Sequence, residues 1–270
     1  MTIAPLSAPD RELRAWATRE LAAAGCVSAA AEADWLLGEA PDAAALRAMV
    51  ARRAAGEPLQ YVIGWAPFGP LRLAVGPGVF VPRPETEGLA DRAAAHLLAA
   101  AKPRVAVDVC TGSGAIACYL AAQVPGARVL ATELDPGALA WARENAERFG
   151  VELLAGDLDA PLPPELAGRV DVLCANVPYV PSGAIGTLPV DVRDHEPRLA
   201  LDGGPDGLDV LRRLAARAGH WLAPGGRLLC EIGEDQAPAA VALLAAAGLV
   251  DLAVHPDLVG RDRIVEGARR

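Results

Sequence analysis

Asp108-Val-Cys-Thr-Gly112-Ser-Gly114-Ala, Glu133, Gly156-Asp157-Leu158 and Asn176-Val-Pro-Tyr179 are the stretches in which residue type and position point to chemistry. Gly112 and Gly114 allow a backbone to approach a bound molecule closely, and a helix predicted to start there offers free N–H donors. Alone, Gly112-x-Gly114-x-x-Ala117 also fits a dinucleotide fingerprint. Asp108 weighs against that reading. A carboxylate at the mouth of the loop repels a pyrophosphate, whereas S-adenosylmethionine has no phosphate and brings an ammonium and a sulfonium. Glu133 ends the next predicted strand and can accept both ribose hydroxyls; Asp157, after the third, is placed to accept the adenine amino group. Each acid read singly is equally a helix cap or a solvated charge. Three at successive strand ends favour a methyl donor, with Asp108, Thr111, Gly112, Gly114, Glu133, Asp157 and Asn176 as its expected contacts and S-adenosylhomocysteine as product.

Asn176-Val177-Pro178-Tyr179 follows the predicted strand Val170–Ala175. It resembles the Asn-Pro-Pro-Tyr signature of methyltransferases acting on planar nitrogen, either exocyclic base amines or carboxamides. An amide nitrogen is a poor nucleophile because its lone pair is delocalised. The Asn176 side-chain oxygen and the Val177 carbonyl can hold its N–H groups and aim it. Tyr179 would pack on the planar group and exclude water. The plain alternative is a strand-to-loop turn with Pro178 ending the strand.

Further stretches decide between base and amide by resemblance. Gly56-Glu-Pro-Leu-Gln-Tyr61, Gly64, Phe68 and Val81-Pro-Arg-Pro-Glu-Thr-Glu87 are similar to the HemK/PrmC family of protein N5-glutamine methyltransferases. So are Glu196-Pro197, Ala200 to Leu208, Pro224-Gly-Gly226, Glu231-Ile-Gly233 and Gly260-Arg-Asp-Arg263. The resemblance implies a glutamine in the Gly-Gly-Gln loop of a peptide-chain release factor as substrate. It implies Asn176, Pro178 and Tyr179 at the reacting amide, with Arg83, Pro84, Glu85, Thr86 and Val177 as substrate contacts. Three departures stand out. Val177 replaces the signature's first proline, which keeps the backbone acceptor but loosens the loop. Cys110 stands where the family often has glycine, so it must avoid positive φ or be strained, and an inert packed thiol is expected there. The N-terminal helical module is shorter than usual near Gly38 to Ala44, which leaves a different protein substrate open.

The elements that must position these residues are legible in the hydrophobic period. Ser7-Ala-Pro-Asp10 has the form of a helix-capping box, and Leu13, Trp16, Ala17 and Leu21 recur at helical spacing. Helices after Ser28 and from about Asp42 to Arg53 follow, with Trp16 and Trp35 expected in the core. Leu59 to Val81 is cut by glycine and proline and predicts a β-hairpin connector without a useful helix. From Val105 onward strands and helices alternate, and the last two strand-like segments, Val250–His255 and Arg263–Gly267, leave no room for a helix between them. The expected fold is α/β: a Rossmann-like class I S-adenosylmethionine-dependent methyltransferase sheet, mostly parallel with an antiparallel last strand, a small N-terminal helical domain and a β-hairpin connector. The expected boundaries are 1–57, 58–84 and 85–270.

With 270 residues and 53% hydrophobic content the chain can bury a core, and 34 acidic against 25 basic side chains disfavour nucleic acid as the main partner. A base methyltransferase would also need a target-recognition domain and a basic face. A cofactor-binding module without turnover is the non-enzymatic alternative. Five cysteines without pairing and no apolar run of spanning length point to a cytoplasmic protein, with no membrane partner and a monomeric state expected. His96, His195, His220 and His255 lack metal spacing, His195 alone being expected near the cleft, and the acids of Glu231 to Asp235 suit a helix start. No metal is predicted.

Overall fold

A computed structural model describes residues 8–270. Ser7 of the expected capping box lies outside them. Helices α1 (Ala8–Ala23), α2 (Ala29–Glu39), α3 (Ala43–Ala54) and the short α4 (Leu59–Ile63) share one apolar core around Leu21, Leu36, Leu46 and Val62. The turn into α3 is closed by Asp42, whose Oδ1 accepts from the Ala45 N–H at 2.8 Å. α4 is a single turn, in keeping with a connector without a useful helix: Pro58 precedes it and Gly64, at φ +81°, stops it. Trp35, by contrast, is corrected. It is 37% exposed and stacks on Trp65 at 5.1 Å, with the Arg72 guanidinium 3.9 Å over the Trp65 ring.

Strands β1 (Trp65–Phe68) and β2 (Leu71–Ala74) form the antiparallel hairpin. Asn145 ties it to the main body: its amide exchanges two hydrogen bonds with the Ala74 backbone and donates a third to the Ser113 carbonyl. Helix α5 (Pro84–Ala99), which the period did not reveal, starts with proline at its first position and acids in its first turn. Its alanine-rich inner face gives little contrast between buried and exposed positions.

The remainder runs β3 (Val105–Val109), α6 (Ala115–Gln123), β4 (Arg128–Glu133), α7 (Pro136–Phe149), β5 (Glu152–Ala155), β6 (Val170–Ala175), α8 (Val190–Arg193), α9 (Asp209–Trp221), β7 (Leu222–Glu231), α10 (Ala237–Ala246), β8 (Val250–Pro256) and β9 (Asp262–Ala268). The sheet order is β5-β4-β3-β6-β7-β9-β8, and β9 alone runs against the others. Two apolar layers, one around Leu173 and Leu214 and one around Leu89 and Leu120, cover its faces. The chain begins the sheet at β3, winds out to β5 and returns to β6 beside β3. A crevice therefore opens beyond the carboxyl ends of β3 and β6, where a ligand is most readily received. Among the described residues no helix is long and apolar enough to cross a membrane.

Candidate active site

That crevice is a cavity walled by the β3–α6 loop, the ends of β4 and β5, the turn after β6 and the segment Pro197–Asp202. Thr111 and Gly112 lie on it. Gly112 has φ +59°, and a Cβ built there meets nothing within 4 Å, so the loop presents bare backbone to the cavity. Gly114, at φ +86°, forms the start of α6 behind the wall.

Asp108 is not at the mouth of the loop. It is fully buried beneath it, accepting from the Thr111 hydroxyl at 2.5 Å and the Ala117 N–H at 3.1 Å, and it does not line the cavity. Its position mid-register in β3 draws it inward as an internal brace of the loop. Burial pushes its carboxyl up to about 7, against the pull of those two donors. An unfolded Asp titrates near ~4. Between these values the folded chain holds a proton that the unfolded chain has released, so this contribution to stability is full below ~4 and is lost as pH rises through about 7. Glu196, also raised to about 7 by burial, adds to the same window. Asp108→Asn is therefore expected to lose less stability than the wild type between pH 5 and pH 8 in urea unfolding. An equal loss in both proteins would reject the assignment.

Glu133 ends β4 on the cavity wall, 8% exposed. Its Oε1 accepts from the Leu134 and Asp135 N–H groups and its Oε2 from the Gly112 N–H, each at 2.8 Å. Burial raises its carboxyl and those donors oppose the rise. The donors fix the carboxylate in one orientation and leave lone pairs for a diol. Asp157 also lines the cavity, with its Oδ2 held by Arg213 at 2.5 Å. Among the described residues, Glu133, Asp135, Asp157 and Asp202 face the cavity against the single base Arg213. This balance suits a cationic ligand and repels a phosphate, so the residues present fit S-adenosylmethionine.

Asn176, Pro178 and Tyr179 line the same cavity. Asn176 Nδ2 donates to the Thr86 hydroxyl at 3.2 Å, Thr86 donates to Glu231 Oε2 at 2.6 Å, and Tyr179 donates to Glu231 Oε1 at 3.2 Å. Burial and the adjoining Glu231 push the Tyr179 phenol upward, so it stays a neutral donor. Gln236 Nε2 pins the Tyr179 carbonyl at 2.9 Å.

Val177, expected as a substrate contact, is not on the cavity wall, and its side chain turns away into the core. Its side chain is 2% exposed and packs in the core, so burial supplies the rigidity that a proline would. Cys110 does take positive φ, +56°, at a cost of about 1–2 kcal/mol. It borders the cavity, and burial with the neighbouring acids pushes its thiol well above the ordinary range, which disfavours the reactive thiolate.

Of the segment Arg83 to Thr86, only Thr86 reaches the cavity; Pro82 and Phe80 line it instead. Arg83 lies over the Phe80 ring at 4.7 Å and binds both oxygens of buried Glu196 at 2.8 Å. Pro84 opens α5, and Glu85 faces Arg261 at 3.6 Å. The difference arises because α5 starts at Pro84 and turns one residue in four toward the cavity. His195 is not on the wall either, whereas His96 and His255 converge on buried Glu266 at 3.0 and 2.9 Å, beside Arg227. Sequence reasoning missed Glu231, Gln236 and Phe80 as site residues. A buried acid ending a central strand was the available signal for Glu231.

A methyltransferase domain model matches residues 106–187 and a PrmC N-terminal domain model matches residues 39–64. The chain is 44% identical to the release factor glutamine methyltransferase of Mycolicibacterium smegmatis, covering 94% of this chain and 95% of that one. It is 38% identical to the protein of the same name from Geobacter sulfurreducens, covering 95% of each. Among solved structures, a methyltransferase from Pyrococcus furiosus shares the fold, with a TM-score of 0.53 at 20% identity over 74% of this chain and 89% of that one. The extent and identity of these matches, over the same residues that build the cavity, place the chain in the release factor glutamine methyltransferase family.

Proposed function

We propose that the chain transfers a methyl group from S-adenosylmethionine to the side-chain amide nitrogen of a glutamine in a release factor, the residue lying in a Gly-Gly-Gln loop. One observation carries the reading: the Asn176-Val-Pro-Tyr179 turn stands on the wall of a cavity whose other wall is acidic and has a glycine-opened loop. Thr111, Gly112, Glu133 and Asp157 would hold the cofactor, which would supply an electrophilic methyl on a sulfonium. Asn176 Oδ1 and the Val177 carbonyl accept the two N–H groups of the glutamine amide and fix its plane. Fixing the plane matters because attack must come from a lone pair that is otherwise spent in resonance. Tyr179 and Pro178 flank the amide and displace water. Once methylated, the nitrogen is strongly acidic and releases its proton to solvent, so no side chain has to act as a strong base.

In this reading residues 1–57 dock the release factor, residues 58–84 connect, and residues 85–270 carry the chemistry in a cytoplasmic monomer. Incubation with isotopically labelled donor and purified release factors, followed by peptide mass spectrometry, tests it. Label on the Gly-Gly-Gln glutamine is the expected result. Donor binding without transfer to any release factor would reject it, and label on another protein or on a base would redirect it.

A further inference from the structure

The proposed reaction needs Asn176 to present its oxygen, not its NH2 group, to the substrate amide. Those two groups are nearly the same size, and an amide turned over by half a rotation about its last bond would place a donor against a donor. Something must fix which way Asn176 faces, and its strand-end position alone does not.

We propose that Glu231 and Thr86 are positioning residues that set the orientation of the Asn176 amide through a one-way chain of hydrogen bonds; this rests on the reading of function above. Glu231 ends β7, is 1% exposed and reaches Thr86 on α5 and Tyr179 beyond β6. A carboxylate has no proton to give, so it accepts only. Thr86 has a single hydroxyl hydrogen, and at 2.6 Å from Glu231 Oε2 that hydrogen is committed to the carboxylate. The Thr86 oxygen can then only accept from Asn176, 3.2 Å away. The group of Asn176 facing Thr86 must therefore be Nδ2, and Oδ1 is left toward the cavity. Tyr179 donates to the second oxygen of Glu231, so the same carboxylate anchors both side chains of the turn that flank the substrate. Burial pushes the Glu231 carboxyl up, and the Thr86 hydroxyl, the charge of Arg263 and the Tyr179 hydroxyl pull it back; the accepting role rests on the two hydroxyl donors that its two oxygens receive. The polarity follows from donor and acceptor counts rather than from any one distance.

Three variants of the full-length enzyme test this. Thr86→Val keeps the shape but deletes the relay; Thr86→Ser keeps the relay. Glu231→Gln keeps the size of the acid but can donate to Thr86, which frees the hydroxyl hydrogen to point at Asn176 and turns its amide over. Thr86→Val and Glu231→Gln are each expected to lower kcat by about 10- to 100-fold at saturating donor and release factor, with donor Kd within about twofold. Thr86→Ser should recover most of the loss. The double variant Thr86→Val/Glu231→Gln should be no slower than the slower single variant, since a broken relay cannot be broken again. A kcat for Thr86→Val within about threefold of the wild type, failure of serine to rescue, or losses that multiply in the double variant would each overturn the proposal. If Glu231→Gln does not fold, the valine and serine pair decides alone. Wild-type enzyme inactive on release factors would instead sink the functional reading, which separates the two failures.

Discussion

Asn176→Ala is expected to lower kcat by about 10²- to 10³-fold and to leave S-adenosylmethionine affinity within about twofold. The side chain lines the cavity and gives its NH2 group to Thr86, so on the proposed reading its oxygen is the one left for the substrate amide, and its removal would delete an acceptor used only when that amide is present. Its energetic effect is concentrated in the reacting complex because a loosely held amide spends most of its time with the lone pair misdirected. The fold should tolerate the change. Asn176 is at the end of β6 and only partly buried, and its one side-chain partner, Thr86, keeps its stronger bond to Glu231. Single-turnover methylation of a release factor and equilibrium donor binding, measured on the same preparation, check both halves. Full activity would remove Asn176 from the reaction, whereas a large fall in donor affinity would move it to the cofactor side.

The positions of these groups along the chain were readable because each lies at a strand end, and strand ends are marked by an abrupt change from apolar to polar residues. Glu133, Asp157 and Asn176 needed only that change and the knowledge that a parallel sheet gathers its strand ends along one edge. Asp108 shows the limit of the argument. It stands beside the loop in sequence, but it is still inside β3, paired with Ala131 and Cys174, and its side chain is drawn under the loop. Sequence order cannot distinguish a carboxylate above a loop from one below it. Val177 fails in the opposite direction: proline's rigidity is visible in a sequence, whereas rigidity from burial in a core is not.

The buried acids were the hardest part to read. Glu196 and Glu231 are separated from their partners Arg83 and Thr86 by more than a hundred residues of chain, so nothing local links them to those partners. Only the fold places α5 across the ends of β6 and β7, where its first turn meets both. The same holds for the pair His96 and His255, which look isolated in sequence and share Glu266 in space. Helix α5 itself escaped the hydrophobic period because alanines fill its buried face, and alanine is as acceptable to solvent as to a core. Close packing of a helix over a site thus leaves a weaker sequence trace than a strand beneath it.

Glu133→Ala is expected to raise the donor Kd by about 10- to 100-fold, which corresponds to roughly 1–3 kcal/mol. Two losses combine. The direct one is the pair of carboxylate oxygens offered to the ribose diol. The indirect one is the loop itself: Gly112, Leu134 and Asp135 each lose the acceptor that orients their N–H groups, and Gly112 presents bare backbone to the cavity. The indirect loss predicts a second effect, a lower unfolding temperature for the ligand-free variant, since three part-buried N–H groups lose their hydrogen bonds to a charged acceptor, a net loss of about 1–3 kcal/mol. Glu133→Gln separates the two. Its single carbonyl oxygen can serve some of the backbone donors, so ligand-free stability should fall less than in the alanine variant, while the lost charge and the misplaced NH2 group still weaken the hold on a diol. Calorimetric titration with S-adenosylmethionine and thermal unfolding without it read the two effects independently. An unchanged Kd in both variants would reject the ribose role, and weakened binding with undiminished ligand-free stability would show that the carboxylate acts on the ligand alone and not through the loop.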